Sequence, residues 1–299
     1  GGTLLVNGSL SDQTDVVVSE GSTYELGADD EVGSIAGGGS IILNTNRLTA
    51  GGANDSTFSG TLSDNGSFEK VGSGTFALAG NKIYSNEFII NDGKLLVENA
   101  ASFSQQANIF VGSAGTYEMQ SDDSVGSIEG SGLISLGASD LTVGSDDSDR
   151  TFSGVISGSG GIVKVGEGKL SLTGANTFSG SVQINGGILE VGASDVFAGS
   201  NLFILDGGTF SAIGSSVSEA TDVFQLGSNG GTFDVASDVA VELRGLIQNK
   251  ISDTPGLLTK TGDGRLTLSG VNTYTGQTSI SGGTLLVNGS LSDQTDVVV

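Results

Sequence analysis

The side chains of this chain best suited to chemistry are its carboxylates, and they come in groups. Asp29, Asp30 and Glu31 stand together, Asp122 and Asp123 follow 93 positions later, and Asp146 and Asp147 with Asp149 form a third group. Carboxylates gathered on a tight turn can supply the oxygen ligands that Ca²⁺ takes six to eight at a time, so these residues are the candidate metal ligands. Two acids facing each other across a groove would also make the general acid and base of a glycosidase. A catalytic pair is a single constellation, however, whereas these acids recur. The chain has no His, which removes the commonest general base. The G-G-x-G-x-D-x-U-x pattern of calcium-binding β-solenoids is absent as well. On the residues alone the expectation is a solvated acidic face, no catalytic group and no cofactor, with Ca²⁺ kept as a candidate ligand.

Two other residue sets recur. Lys70, Lys164 and Lys260 occupy one position of a repeated motif and suggest either a binding ladder or lysines pointing outward from strands to discourage lateral pairing; the second is the reading preferred. Tyr84, Phe178 and Tyr274 follow a turn in the same motif. They are either exposed sugar-stacking platforms or covers over the end of a hydrophobic core, and the second again is preferred. Ser and Thr are abundant but offer no nucleophile without a base.

Composition narrows the partners. The chain has 34 acidic and 11 basic residues and a formal charge of −23, which repels nucleic acid and anionic membranes. No Cys is present, so there are no disulfides or thiolate metal sites. No apolar run approaches the roughly 20 residues of a membrane helix, so no direct membrane insertion is expected. With 36% apolar residues the chain is too rich in Val, Ile and Leu for a disordered acidic tail and can bury a core.

The elements that must position these residues are repetitive. Lys70–Val97, Lys164–Val191 and Lys260–Val287 align without a gap, at steps of 94 and 96. Gly1–Val18 is identical to Gly282–Val299, an offset of 281, which reads as a window on a longer tandem array, with one continuous solenoid over residues 1–299 and an irregular insert at 192–259. A second block, Tyr24-Glu25-Leu26 through Val32-Gly33-Ser34-Ile35, recurs as Tyr117-Glu118-Met119 through Val125-Gly126-Ser127-Ile128. Short alternating apolar runs separated by Asn-Gly and Asp-Gly turns predict strands about every ten residues and no helix.

Tandem Ig-like sandwiches and a parallel β-solenoid both fit that spacing. Very short strands, Gly inside the motifs and a core repeat of only 28 residues favour the solenoid, whose rungs need only neighbouring rungs for their core. Rungs of ~20 residues at ~4.8 Å give four or five per unit and a rod of roughly 65 Å. Leu170, Leu172, Ile184, Leu189 and Val191 alternate so as to point inward, as do Leu266, Leu268, Ile280, Leu285 and Val287.

The motif G-x-G-x-L-x-L-x-G-x-N-T-Y/F-x-G-x-x-x-I-x-x-G-x-L-x-V resembles the autotransporter-associated β-strand repeat, or passenger-associated transport repeat, of type V-secreted bacterial surface proteins. Residues 164–191 and 260–287 match throughout; residues 70–97 depart at Lys82 and Asn86. The resemblance implies an all-β, right-handed parallel β-helix passenger, secreted through an outer-membrane barrel and displayed at the cell surface. It also implies that the repeat is structural, assists translocation and folding, and carries no catalytic residue. The expected function is an adhesin or adhesin stalk. Its partners would be neighbouring repeats or copies of itself, and host, surface or polysaccharide ligands. A self-assembling extracellular filament or surface layer is the alternative. A β-helical polysaccharide-degrading enzyme is more remote, and it would need convergent acids within 192–259.

Overall fold

A computed structural model describes residues 1–80, 86–98, 103–192, 202–214, 217–219, 223–252 and 254–299. Among them there is no helix, every strand is short except Phe88–Val97 and Asn108–Met119, and the strand pairings are parallel. The chain divides into two compact units, Gly1–Asp146 with Ser153–Ser157 and Asp147–Phe152 with Gly158–Val299. Each unit is a parallel β-solenoid, as the spacing predicts.

The strands form because apolar residues sit on alternate positions and so line one face. In the first unit the inward faces stack as ladders such as Leu48–Phe68–Phe88–Ile109–Ile128. Phe68 stacks on Phe88 with ring centroids 4.8 Å apart and on Phe76 at 5.1 Å. In the second unit the equivalent ladders include Leu189–Phe210–Phe233, and Phe203 stacks on Phe224 at 4.9 Å. Each buried rung residue of this kind contributes about 1.5–3 kcal/mol.

Leu170, Leu172, Ile184, Leu189, Val191, Leu266 and Leu268 are buried as expected, whereas Ile280 and Leu285 are only half-buried and Val287 is 38% exposed. Leu285 and Val287 pair with Leu266 and Leu268.

The sequence repeat and the rung do not share a period. In the second unit Ile162–Lys164 is succeeded on its own face by Val182–Ile184, Leu202–Leu205, Val223–Leu226 and Ile247–Asn249. Lys260 lies on the next strand, Leu258–Thr261, which belongs to the neighbouring column above Gly231–Val235. Two motifs 96 residues apart are therefore turned onto different faces, and their lysines cannot line up as one ladder.

Candidate functional site

The carboxylates of the acidic turns point at backbone. Asp29 Oδ1 accepts from the Arg47 N–H at 2.8 Å, and Asp122 Oδ1 accepts from the Asp140 N–H at 2.9 Å. Asp147 and Asp149 accept from the N–H groups of Glu167 and Lys169, each at 2.7 Å. Asp55 does the same for Thr75, and that hydrogen bond holds its carboxyl below the usual range. Each donor lies 18 or 20 residues ahead, so each carboxylate bridges a turn to the following rung. Asp146 instead accepts from the Ser127 hydroxyl at 2.6 Å.

At Asp30 and Asp123 the expectation of a solvated acidic face fails, because each is only 4% exposed, while Asp29, Glu31, Asp147 and Asp149 are exposed. Asp30 accepts from the Tyr24 phenol and from the N–H groups of Leu10 at 2.8 Å and Glu31 at 3.1 Å. Asp123 accepts from Tyr117 at 2.6 Å and from the Ser124 N–H at 2.9 Å. Burial pushes the Asp123 carboxyl up to about 6, against the opposing pull of the Tyr117 phenol and two backbone N–H groups. Burial first, and the adjacent carboxylate second, raise both phenols. The pair has a sequence signal, since Tyr24 to Asp30 and Tyr117 to Asp123 are both steps of six, placed in the block that recurs. Reading the acids as clusters by proximity along the chain hides it.

Glu31 remains exposed beside an open depression of about 370 Å³ lined also by Ser9, Asp12, Asp29 and Arg47. Among the described residues no three acidic side chains come together as a metal site. In the irregular segment a second depression, about 420 Å³, is lined by Gln248, Asn249, Lys250, Ser252 and Thr273. It has no carboxylate among these, and the neighbouring Asp206 is ion-paired to Lys250 at 2.9 Å. The convergent acids that a glycosidase needs are not brought together at this depression.

The lysines are the larger correction. Lys70, Lys164 and Lys260 do not point outward; they are 2%, 1% and 0% exposed and occupy rungs of the inward ladders. Lys70 stands between Ala50 and Ile90, Lys164 next to Ile184, and Lys260 between Phe233 and Ile280. The stem fills the ladder position, and the ammonium reaches the carbonyls of the turn that follows. Lys70 Nζ donates to the carbonyls of Val71 at 2.7 Å, Gly72 at 2.6 Å and Asp92 at 3.2 Å. Lys164 does so to Val165, Gly166 and Gly186 at 2.5, 3.3 and 3.5 Å. Lys260 repeats the set with Thr261, Gly262 and Gly282 at 2.5, 2.7 and 3.2 Å. An ammonium has three N–H donors and no acceptor, so three carbonyls match its donors in number. Burial pulls the amines of Lys70 and Lys260 below the usual lysine range, partly offset by Asp92 and Asp55 and by Asp234 and Asp263 respectively.

The glycines of the motif make this geometry possible. The third acceptor in each copy precedes a glycine with positive φ: Gly93 at 65°, Gly187 at 57° and Gly283 at 62°. A Cβ on Gly187 would lie 2.3 Å from the Gly168 carbonyl oxygen and 2.7 Å from Lys164 Nζ.

Phe178 and Tyr274 are fully buried, as covers rather than platforms, and the Tyr274 hydroxyl shares a hydrogen bond of 2.6 Å with Thr278. Tyr84 and Lys82 lie outside the described residues. The motif asparagines Asn176 and Asn272 are buried and donate to the carbonyls of Gly174 and Gly270, each at 3.1 Å. Where the first copy has Asn86 in place of glycine, its amide donates to the carbonyls of Asn65 and Gly66.

Comparison with known proteins meets this geometry at the same places. The passenger-associated-transport-repeat model matches residues 68–97, 162–191 and 258–287, the three stretches that hold the buried lysines. The chain is 30% identical to the adhesin BmaC autotransporter of Brucella suis biovar 1, over 94% of this chain and 8% of that protein. It thus spans a small part of the relative's length. No solved structure matches. The chain carries three passenger-associated-transport repeats, and nearly all of it is similar to a part of an autotransporter adhesin.

Proposed function

We propose that this solenoid is the stalk of a surface adhesin, the part of a passenger that carries a binding region rather than the part that reacts. An autotransporter passenger is delivered outside the cell, so the chain is displayed at the cell surface. The observation that carries the proposal is the identity with an autotransporter adhesin along nearly the whole chain. The geometry supports a scaffold, because the recurrent polar groups are engaged with backbone: the acids bridge successive rungs and the lysines close turns. A non-enzymatic role follows from the same reading.

The test uses the purified chain coupled to beads and offered to cultured host cells, matrix proteins and bacterial polysaccharide, beside electron microscopy of the free protein. A stalk gives discrete particles and beads that bind no more than uncoupled ones. Saturable binding by the beads would make the segment itself adhesive. Particles of indefinite length would replace the stalk with a filament.

A further inference from the structure

An aliphatic ladder is a poor ruler. Side chains alternate with a period of two, so a rung that slips by two residues keeps its inward face inward and its Val, Ile and Leu side chains buried. Rungs rich in Gly and β-branched residues therefore specify which face is inside better than they specify which residue pairs with which. The buried lysines do not share this tolerance. Two of the three carbonyls around each ammonium belong to the lysine's own turn, one and two residues on, and the third comes from the following rung, 22 residues on, at Asp92, Gly186 or Gly282. A slip of two residues would move that third carbonyl by roughly 6–7 Å along the strand. It would leave a buried ammonium short of an acceptor in a site that excludes water.

We propose that Lys70, Lys164 and Lys260 are register-setting residues: each admits the following rung only in the alignment that brings its turn carbonyl onto the ammonium. The worn copy argues for the same role. Residues 70–97 have lost the Asn and a Gly of the motif, at Lys82 and Asn86, yet keep the lysine, the positive-φ glycine and all three acceptors. Burying a charge is a poor way to gain stability, and replacing one with an apolar side chain of similar volume is often neutral or stabilising; fixing register is the better-attested use of such a group. The proposal is independent of what the surface binds.

The test exploits the absence of cysteine from the chain. Thr259 pairs with Ser279 across the rung boundary that Lys260 guards, close enough for an engineered disulfide. Thr259→Cys with Ser279→Cys reports the native register, and Thr259→Cys with Ser281→Cys reports a slip of two. Each pair is unfolded in urea, refolded, oxidised with copper phenanthroline and quantified by mass spectrometry, with Lys260 intact and with Lys260→Met. The expected result is a rise of about tenfold or more in the ratio of slipped to native cross-link for Lys260→Met, the equivalent of about 1.4 kcal/mol of lost discrimination. The matched substitution Lys94→Met, at an exposed ion pair with Glu118, should leave that ratio unchanged. Should Lys260→Met fail to regain its β-sheet circular dichroism, Lys260→Gln is read in the same way. A ratio within twofold of the parent in the variant that refolds overturns the proposal.

Discussion

Lys164 and Asp123 are both ionisable groups set into apolar walls, 1% and 4% exposed, and their surroundings are built from opposite ends of the peptide group. The lysine is closed in by three carbonyl oxygens, two of them from its own turn. The aspartate is held by donors, the Tyr117 phenol and backbone N–H groups. A solenoid corner exposes both kinds of backbone group, since the chain leaves one strand and turns before its carbonyls and N–H groups can all pair. A cation caps one set and an anion the other. The difference teaches that charge in this fold is spent on corners, and that a recurring charged residue here is first a partner for unpaired backbone.

The comparison breaks most severely if the lysine is simply deleted. Lys164→Ala should cost about 3–5 kcal/mol, because it empties a ladder position and strips three buried carbonyls of their donor. Urea unfolding followed by circular dichroism measures it, and Lys164→Met, which refills the ladder, should recover a large part of the loss.

A smaller effect, of opposite origin, separates the two sites by pH. The folded-state pKa of Asp123, pushed up to about 6, exceeds its unfolded value, so the folded protein binds the proton more tightly. Its contribution to stability is full below about pH 4 and is lost as pH rises through about 6, a difference on the order of 2–3 kcal/mol. Asp123→Asn should flatten that part of the pH–stability curve between pH 4 and 7, measured as the urea midpoint. Lys70 and Lys260 have folded pKa values below the unfolded one, so their sign is reversed in direction: stability is gained as alkali removes the proton, and substitution by Met should abolish that gain. Buried phenols oppose it at high pH, so the parent-minus-variant difference is the quantity to read.

The smallest effect belongs to a charge outside the core. Lys169 and Glu190 approach to 3.1 Å with the lysine about a third exposed, and Lys169→Ala should change stability by no more than about 0.5 kcal/mol. A loss as large as that of Lys164→Ala would erase the distinction between corner-closing and surface lysines.

Much of the fold was legible because a solenoid is a local object. Alternation at Leu170, Leu172, Leu189 and Val191, with Asn-Gly and Asp-Gly turns between, is enough to place strands and assign their inward faces. Residue type places the lysines outside, whereas their parity places them inside. Phe68, Ile162 and Leu258 are inward, and the lysine two positions after each shares that face. Charge outweighed parity because nothing local announces the third carbonyl, which arrives from a rung 22 residues later. The same distance effect hid the roles of Asp29, Asp122, Asp147 and Asp149, whose N–H partners lie a full rung ahead. The rotation of the motif from one face to the next was hidden too, because it depends on rung lengths that vary between 17 residues at Tyr24–Ile41 and 27 at Thr232–Thr259.

The most direct test of this account is amine labelling of the native protein, with peptide-resolved mass spectrometry after brief exposure to an acylating reagent. Lys94, Lys169 and Lys250, whose side chains are 39%, 35% and 30% exposed, should react at ordinary rates. Lys70, Lys164 and Lys260 should react about a hundredfold more slowly or less, and reach parity only on unfolding. Labelling of those three as fast as Lys169 in the folded protein would contradict the buried carbonyl sites and the architecture built around them.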